Sequence, residues 1–127
     1  MALILDTNAL SAFADADPGV LEIVKGEEEL AVPSVVLGEF LFGIRASRKR
    51  ERYEQLLQGD PPYFRILDVR ASTASHYAEI RSELKAIGQP IPSNDLWIAA
   101  LCREHGRPLL TRDKHFASVS GLAVIGW

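Results

Sequence analysis

The chain has 127 residues, 47% of them hydrophobic, with 17 acidic and 14 basic side chains for a formal net charge of −3. That is enough apolar material for a single domain, residues 1–127, whose core needs no disulfide or structural metal. One cysteine, Cys102, excludes an internal disulfide and a cysteine-rich zinc site, and the slight acidity gives no global drive towards nucleic acid. No run approaches the ~20 apolar residues of a spanning helix, so the expectation is a soluble, cytoplasmic protein without a membrane partner.

In chain order, residues 2–5 read as a buried strand stopped by Asp6. Thr7 or Asn8 can then cap a helix over 9–14. Pro18-Gly19 opens a second helix with Val20, Leu21, Ile23 and Val24 inward and Glu22 and Lys25 outward. A strand over 30–32 ends at Pro33. Ser34 can cap a strongly apolar helix over 35–46, which carries Glu39 among Val36, Leu37, Phe40, Leu41, Phe42 and Ile44. A more polar helix over 47–58 follows, then a turn at Gly59-Asp60-Pro61-Pro62 and a short strand over 64–67. The longest helical pattern, 70–87, steps through Tyr77, Ile80, Leu84 and Ile87 and stops at Gly88. A proline-bearing loop delivers a helix over 95–105 terminated by Gly106, and two strands, 109–111 and 122–125, flank a brief helix after Asp113. Short strands alternating with helices predict one α/β domain whose short, mostly parallel central sheet has helices on both faces.

In such a sheet, ligands gather beyond the carboxyl ends of the strands. Asp6 follows the first strand directly, Asp113 lies two residues after the strand over 109–111, and Asp95 heads a helix. Each alone has an ordinary reading as a cap or a first-turn acid. Glu39 is harder to place structurally, because a lone carboxylate on a helix apolar on nearly all sides is costly to bury without a partner. If the four acids converge, a pair ~4 Å apart repels by about 4 kcal/mol at an effective dielectric of 20. An all-oxygen set then calls for protons or a hard divalent ion, magnesium or manganese. The chemistry that follows is in-line attack of metal-activated water on phosphorus. There is no Gly-rich phosphate loop and no nucleophile elbow, and of the three histidines only His115, read as a surface residue, lies near an acid of this set.

The motifs Leu5-Asp6-Thr7-Asn8, Pro33 to Ile44 around Gly38-Glu39-Phe40, Ser93-Asn94-Asp95-Leu96-Trp97-Ile98-Ala99-Ala100 and Leu110-Thr111-Arg112-Asp113-Lys114-His115-Phe116 carry a resemblance. In order and spacing the chain resembles the PIN-domain nucleases and, among them, the VapC-like toxins of type II toxin–antitoxin modules, over essentially its whole length. The resemblance implies a cytoplasmic Mg2+-dependent ribonuclease, with Mn2+ as the alternative ion, cutting RNA as the toxin of such a pair. It implies catalytic roles for Asp6, Glu39, Asp95 and Asp113. Asp6 and Asp95 would be the primary metal ligands, Asp113 would complete the cluster, and Glu39 would hold a second ion or orient the attacking water. Thr7, Asn8 and Thr111 sit where hydroxyl or amide groups could bond the carboxylates or a metal-bound water. It further implies two protein partners, a cognate antitoxin and a second copy in a homodimer. The apolar helix with Phe40, Phe42 and Ile44, continuing into the basic run Arg45–Arg52, is a reasonable docking surface, with core packing at least as good a reading for Phe40. Arg112 and Lys114, with that run, could hold the RNA backbone.

Rival readings fit less well. A signalling receiver domain wants two acids after the first strand and a late lysine. A phosphatase with an aspartyl nucleophile wants an acid where Asn8 stands. A PIN fold that binds RNA or protein without turnover remains for experiment to separate.

Overall fold

The computed structural model describes residues 2–59 and 63–127, so all but Gly59 of the expected Gly59–Pro62 turn lies outside the described residues. The chain runs β1 (Ala2–Leu5), α1 (Thr7–Ala14), α2 (Pro18–Val24), β2 (Glu29–Pro33), α3 (Ser34–Ile44), α4 (Arg50–Leu57), β3 (Phe64–Leu67), α5 (Ala71–Ala86), α6 (Ser93–His105), β4 (Leu109–Leu110), a 3-10 helix (Lys114–Ser118) and β5 (Val124–Ile125). The sheet order is β3-β2-β1-β4-β5, and all the pairings are parallel.

β1 is the centre. Ile4 lies opposite Ala31 on one side and Leu109 on the other. Successive strand residues face opposite sides of a sheet, and Leu3, Ile4 and Leu5 are each 0% exposed, so both faces are covered. From β1 the chain builds outward through β2 and β3, then returns across the sheet to place β4 against the other edge of β1. The strand order therefore reverses between β1 and β4, where a crevice opens at the carboxyl ends.

Several local expectations shift. Asp6, not Thr7 or Asn8, caps α1, accepting the Ala9 N–H at 2.9 Å. Asp17 caps α2 through the N–H groups of Gly19 and Val20, and Leu21, expected inward, is exposed. Ser34 is the first residue of α3, which has no side-chain cap. α6 begins at Ser93, two residues before Asp95, and Gly106 closes it at φ +61°, a left-handed conformation that glycine adopts without strain.

The larger correction concerns burial. α3 was expected to be the buried helix, yet it buries only the stripe Val36, Phe40 and Ile44. Leu41 and Phe42 face solvent, Phe42 at 79% exposure. The helix enclosed on most sides is α6, with Leu96 and the whole run from Ile98 to Cys102 buried. Among the described residues no helix is long and apolar enough to cross a membrane.

Candidate metal centre

β1 ends by handing its chain to Asp6, whose N–H donates to the Leu110 carbonyl at 3.3 Å and so ties it to the end of β4. Only 4% of Asp6 is exposed. Its Oδ1 caps α1, and its Oδ2 accepts from the Thr111 hydroxyl. The same hydroxyl accepts the Asp113 N–H at 2.9 Å. Thr111, itself buried, thus spaces the two acids by bonding both. Asp113 caps the 3-10 helix, its Oδ1 accepting the His115 N–H at 2.9 Å.

Asp95 reaches the same place from α6, where an acid in the first turn is favoured by the helix dipole. His115 Nδ1 lies 3.1 Å from Asp95 Oδ2 and 3.0 Å from Asp113 Oδ1. Ligand-capable atoms of Asp95, Asp113 and His115 all fall within 4.8 Å of one another. Glu39 stands on the exposed side of α3 and accepts the Thr7 hydroxyl at 3.0 Å.

Asp6 and Glu39 fall outside that group, but charge links them to it: Asp113 and Asp95 act on Asp6, and Glu39 acts on Asp95. Burial pushes the Asp6 carboxyl above the usual range; its bonds to Thr111 and Ala9 oppose this, and the charges of Asp113 and Asp95 add to it. Asp95 is raised for the same first reason, with His115 opposing and the charges of Asp113 and Glu39 contributing. His115 is raised chiefly by its bond to Asp95, reinforced by both carboxylate charges. Three carboxylates and an imidazole competing for too little positive charge suit a hard divalent cation, which would relieve the burial cost and the mutual repulsion together. Asp6, Asp95 and Asp113 are the residues that would hold it.

Two expectations need correction. Glu39 is no lone carboxylate in an apolar interior but sits at an exposed rim beside Thr7, because α3 turns only one stripe to the core. His115 is exposed, as expected of a surface residue, but it also bridges two of the acids. The available signal was its place two residues after Asp113, where a cap turns the chain back on itself. Of the three apolar side chains expected at the docking surface only Phe42 is exposed; Phe40 and Ile44 belong to the core. In the basic run, Arg50 pairs with Glu54 at 2.7 Å and Arg52 donates to the Ala14 carbonyl. Arg45, Arg48 and Lys49 are exposed and make no ion pair with another described residue. Arg112 lies over the Trp127 ring at 4.6 Å and donates to the Trp127 carbonyl.

Comparison with known proteins agrees with this geometry. Residues 3–122 match the PIN domain family. The chain is 30% identical to Ribonuclease VapC2 of Rickettsia felis, an alignment covering 100% of this chain and 98% of that protein. It is 31% identical to the tRNA(fMet)-specific endonuclease VapC of Shigella flexneri, over 78% of this chain and 76% of the relative. The crystal structure of VapBC2 from Rickettsia felis, bound to a DNA fragment from its promoter, superposes with a TM-score of 0.83 at 28% identity, covering 100% of this chain and 99% of that one. The acidic crevice, the sheet order and these relatives lead to one assignment: the chain belongs to the PIN-domain family.

Proposed function

We propose that the protein is a metal-dependent endoribonuclease, using Mg2+ or alternatively Mn2+, that hydrolyses RNA phosphodiester bonds as the toxin of a toxin–antitoxin pair. The observation that carries this reading is the linkage by charge of Asp6, Asp95, Asp113 and Glu39 at the crevice where the strand order reverses. The relatives named as ribonucleases support RNA as the substrate. When bound, the cation would neutralise the carboxylates and stabilise charge on the attacking and leaving oxygens. Asp6, Asp95 and Asp113 would hold it, and Thr111 bonds two of these residues. Glu39, bonded by Thr7, would accept a proton from the attacking water. The protein acts in the cytoplasm, forms a homodimer, and is held inactive by a cognate antitoxin that docks on the Phe42 face of α3.

The test is cleavage of a mixed RNA pool by antitoxin-free protein with Mg2+, Mn2+ or EDTA, alongside Asp6→Asn and Asp95→Asn. Cutting should vanish in EDTA and fall by at least ~100-fold in each variant, since even outer partners of metal ligands are worth 10–100-fold. Cutting that survives both substitutions would sink the assignment of the site. Absence of cutting with either metal would leave a PIN fold that binds without turnover.

A further inference from the structure

On its Glu39 side the acidic centre opens into a cleft of about 290 Å³ between α1, α3 and α4, at the small end of the range for ligand sites. Glu39, and Thr7 which follows Asp6, line one end of it, so that end lies beside the candidate centre. Its composition differs from a phosphate site. No Lys or Arg lines it, and Asp15 lies at the end away from Glu39. Ser11 and Ser47 instead supply hydroxyls able to donate and accept, and Tyr53 an oxygen still able to accept.

Tyr53 is held from several sides. Its ring meets Phe40 edge-on at 5.8 Å, the Arg52 guanidinium lies 5.6 Å from its centroid, and its hydroxyl donates to Asp15 Oδ1. That bond orients the Asp15 carboxylate while leaving it further acceptor capacity. A flat aromatic wall, hydroxyls and an oriented acceptor suit a neutral planar group with amino donors. Single-stranded RNA offers such a group in an unstacked base, which proteins read by aromatic contact and edge hydrogen bonds.

We propose that this cleft is a base-reading subsite, in which an unpaired nucleobase next to the scissile phosphate packs against Tyr53 and donates its exocyclic amino group to Asp15. Adenine, cytosine and guanine carry that group and uracil does not. The subsite rests on the nuclease reading and supplies its sequence preference.

Cut sites in a randomised RNA pool, mapped at nucleotide resolution with Mg2+, test this. Uracil should be depleted about tenfold at one position flanking the cut, the discrimination expected of a good side-chain–base hydrogen bond. Asp15→Asn, whose amide can donate to a uracil carbonyl, should abolish that depletion. Gly43→Leu provides an independent arm. Gly43 lines the cleft, and a Cβ there meets nothing within 4 Å, so the leucine should enter the cleft and flatten the preference in a folded protein. No cutting by the wild-type protein would overturn the nuclease reading itself. Cutting without bias at either flanking position would overturn the subsite alone, as would an unchanged bias in folded Asp15→Asn or Gly43→Leu.

Discussion

Asp6 caps a helix, bonds a threonine and sits buried beside two other acids. The first two favour its carboxylate and the burial opposes it, and the burial dominates, so its folded pKa lies above the unfolded value. The folded state then binds more protons than the unfolded one between those values, and metal-free stability falls as pH rises through that window. Wherever the carboxyl is ionised, its charge is a cost that a bound cation would remove. Asp6→Asn keeps an oxygen to cap α1 and drops the charge. In EDTA it should melt at or above the wild-type temperature. Magnesium at 100 times its dissociation constant should stabilise the wild-type protein by about 2.7 kcal/mol, a rise of several degrees that the variant should lack. A variant that melts well below wild type in EDTA would show Asp6 to be a structural tie instead. At this scale the sequence was legible for position: it set Asp6 and Asp113 just beyond strands, where the structure has them. It was opaque for His115, whose ring contacts come from the turn geometry, whereas Thr111, implied to bond the carboxylates, does bond one, 105 residues away.

The same contrast holds between α3 and α6. Both read as apolar helices, and hydrophobicity alone ranked α3 as the more buried. What decides burial is where a helix lies against the sheet, which a strand order not visible in sequence determines. α6 returns the chain from β3 across the sheet to β4 and becomes enclosed, so even Cys102 is 1% exposed with its thiol pushed up by burial. α3 sits at the flank and leaves Phe42 outside. Two substitutions on this helix separate the alternatives. Phe40→Ala should cost ~3–5 kcal/mol, the usual loss for a buried aromatic, and Phe42→Ser should change stability by no more than about 0.5 kcal/mol. Denaturant titrations giving comparable losses for both would mean that α3 is rotated about its axis. The same Phe42→Ser protein should bind antitoxin more weakly, since the exposed ring is the apolar anchor of the proposed docking face.

For the whole molecule, alternating short strands and helices sufficed to infer a parallel sheet with its acids beyond the carboxyl ends of the strands. The reversal between β1 and β4 explains why acids at positions 6, 95 and 113 can meet, and it followed only from the pairing of strands. The fold's net charge of −3 and its acidic crevice nevertheless set a problem for RNA, which must be held by local cations. Arg50 and Arg52 are engaged with Glu54 and with the Ala14 carbonyl and Tyr53, leaving Arg45, Arg48 and Lys49 as the exposed group at the end of α3 nearest α4. If those three meet phosphates, binding releases their counterions, at about 0.7 unit of log–log salt slope per contact for a single strand. Replacing all three by alanine should therefore make the slope of log affinity against log salt shallower by about 2, and weaken binding uniformly across RNA sequences. Binding is best measured on Asp95→Asn, so that the RNA survives. An unchanged slope would remove this stretch from the RNA path and leave exposed Lys114, beside Asp113, as the next cation to test.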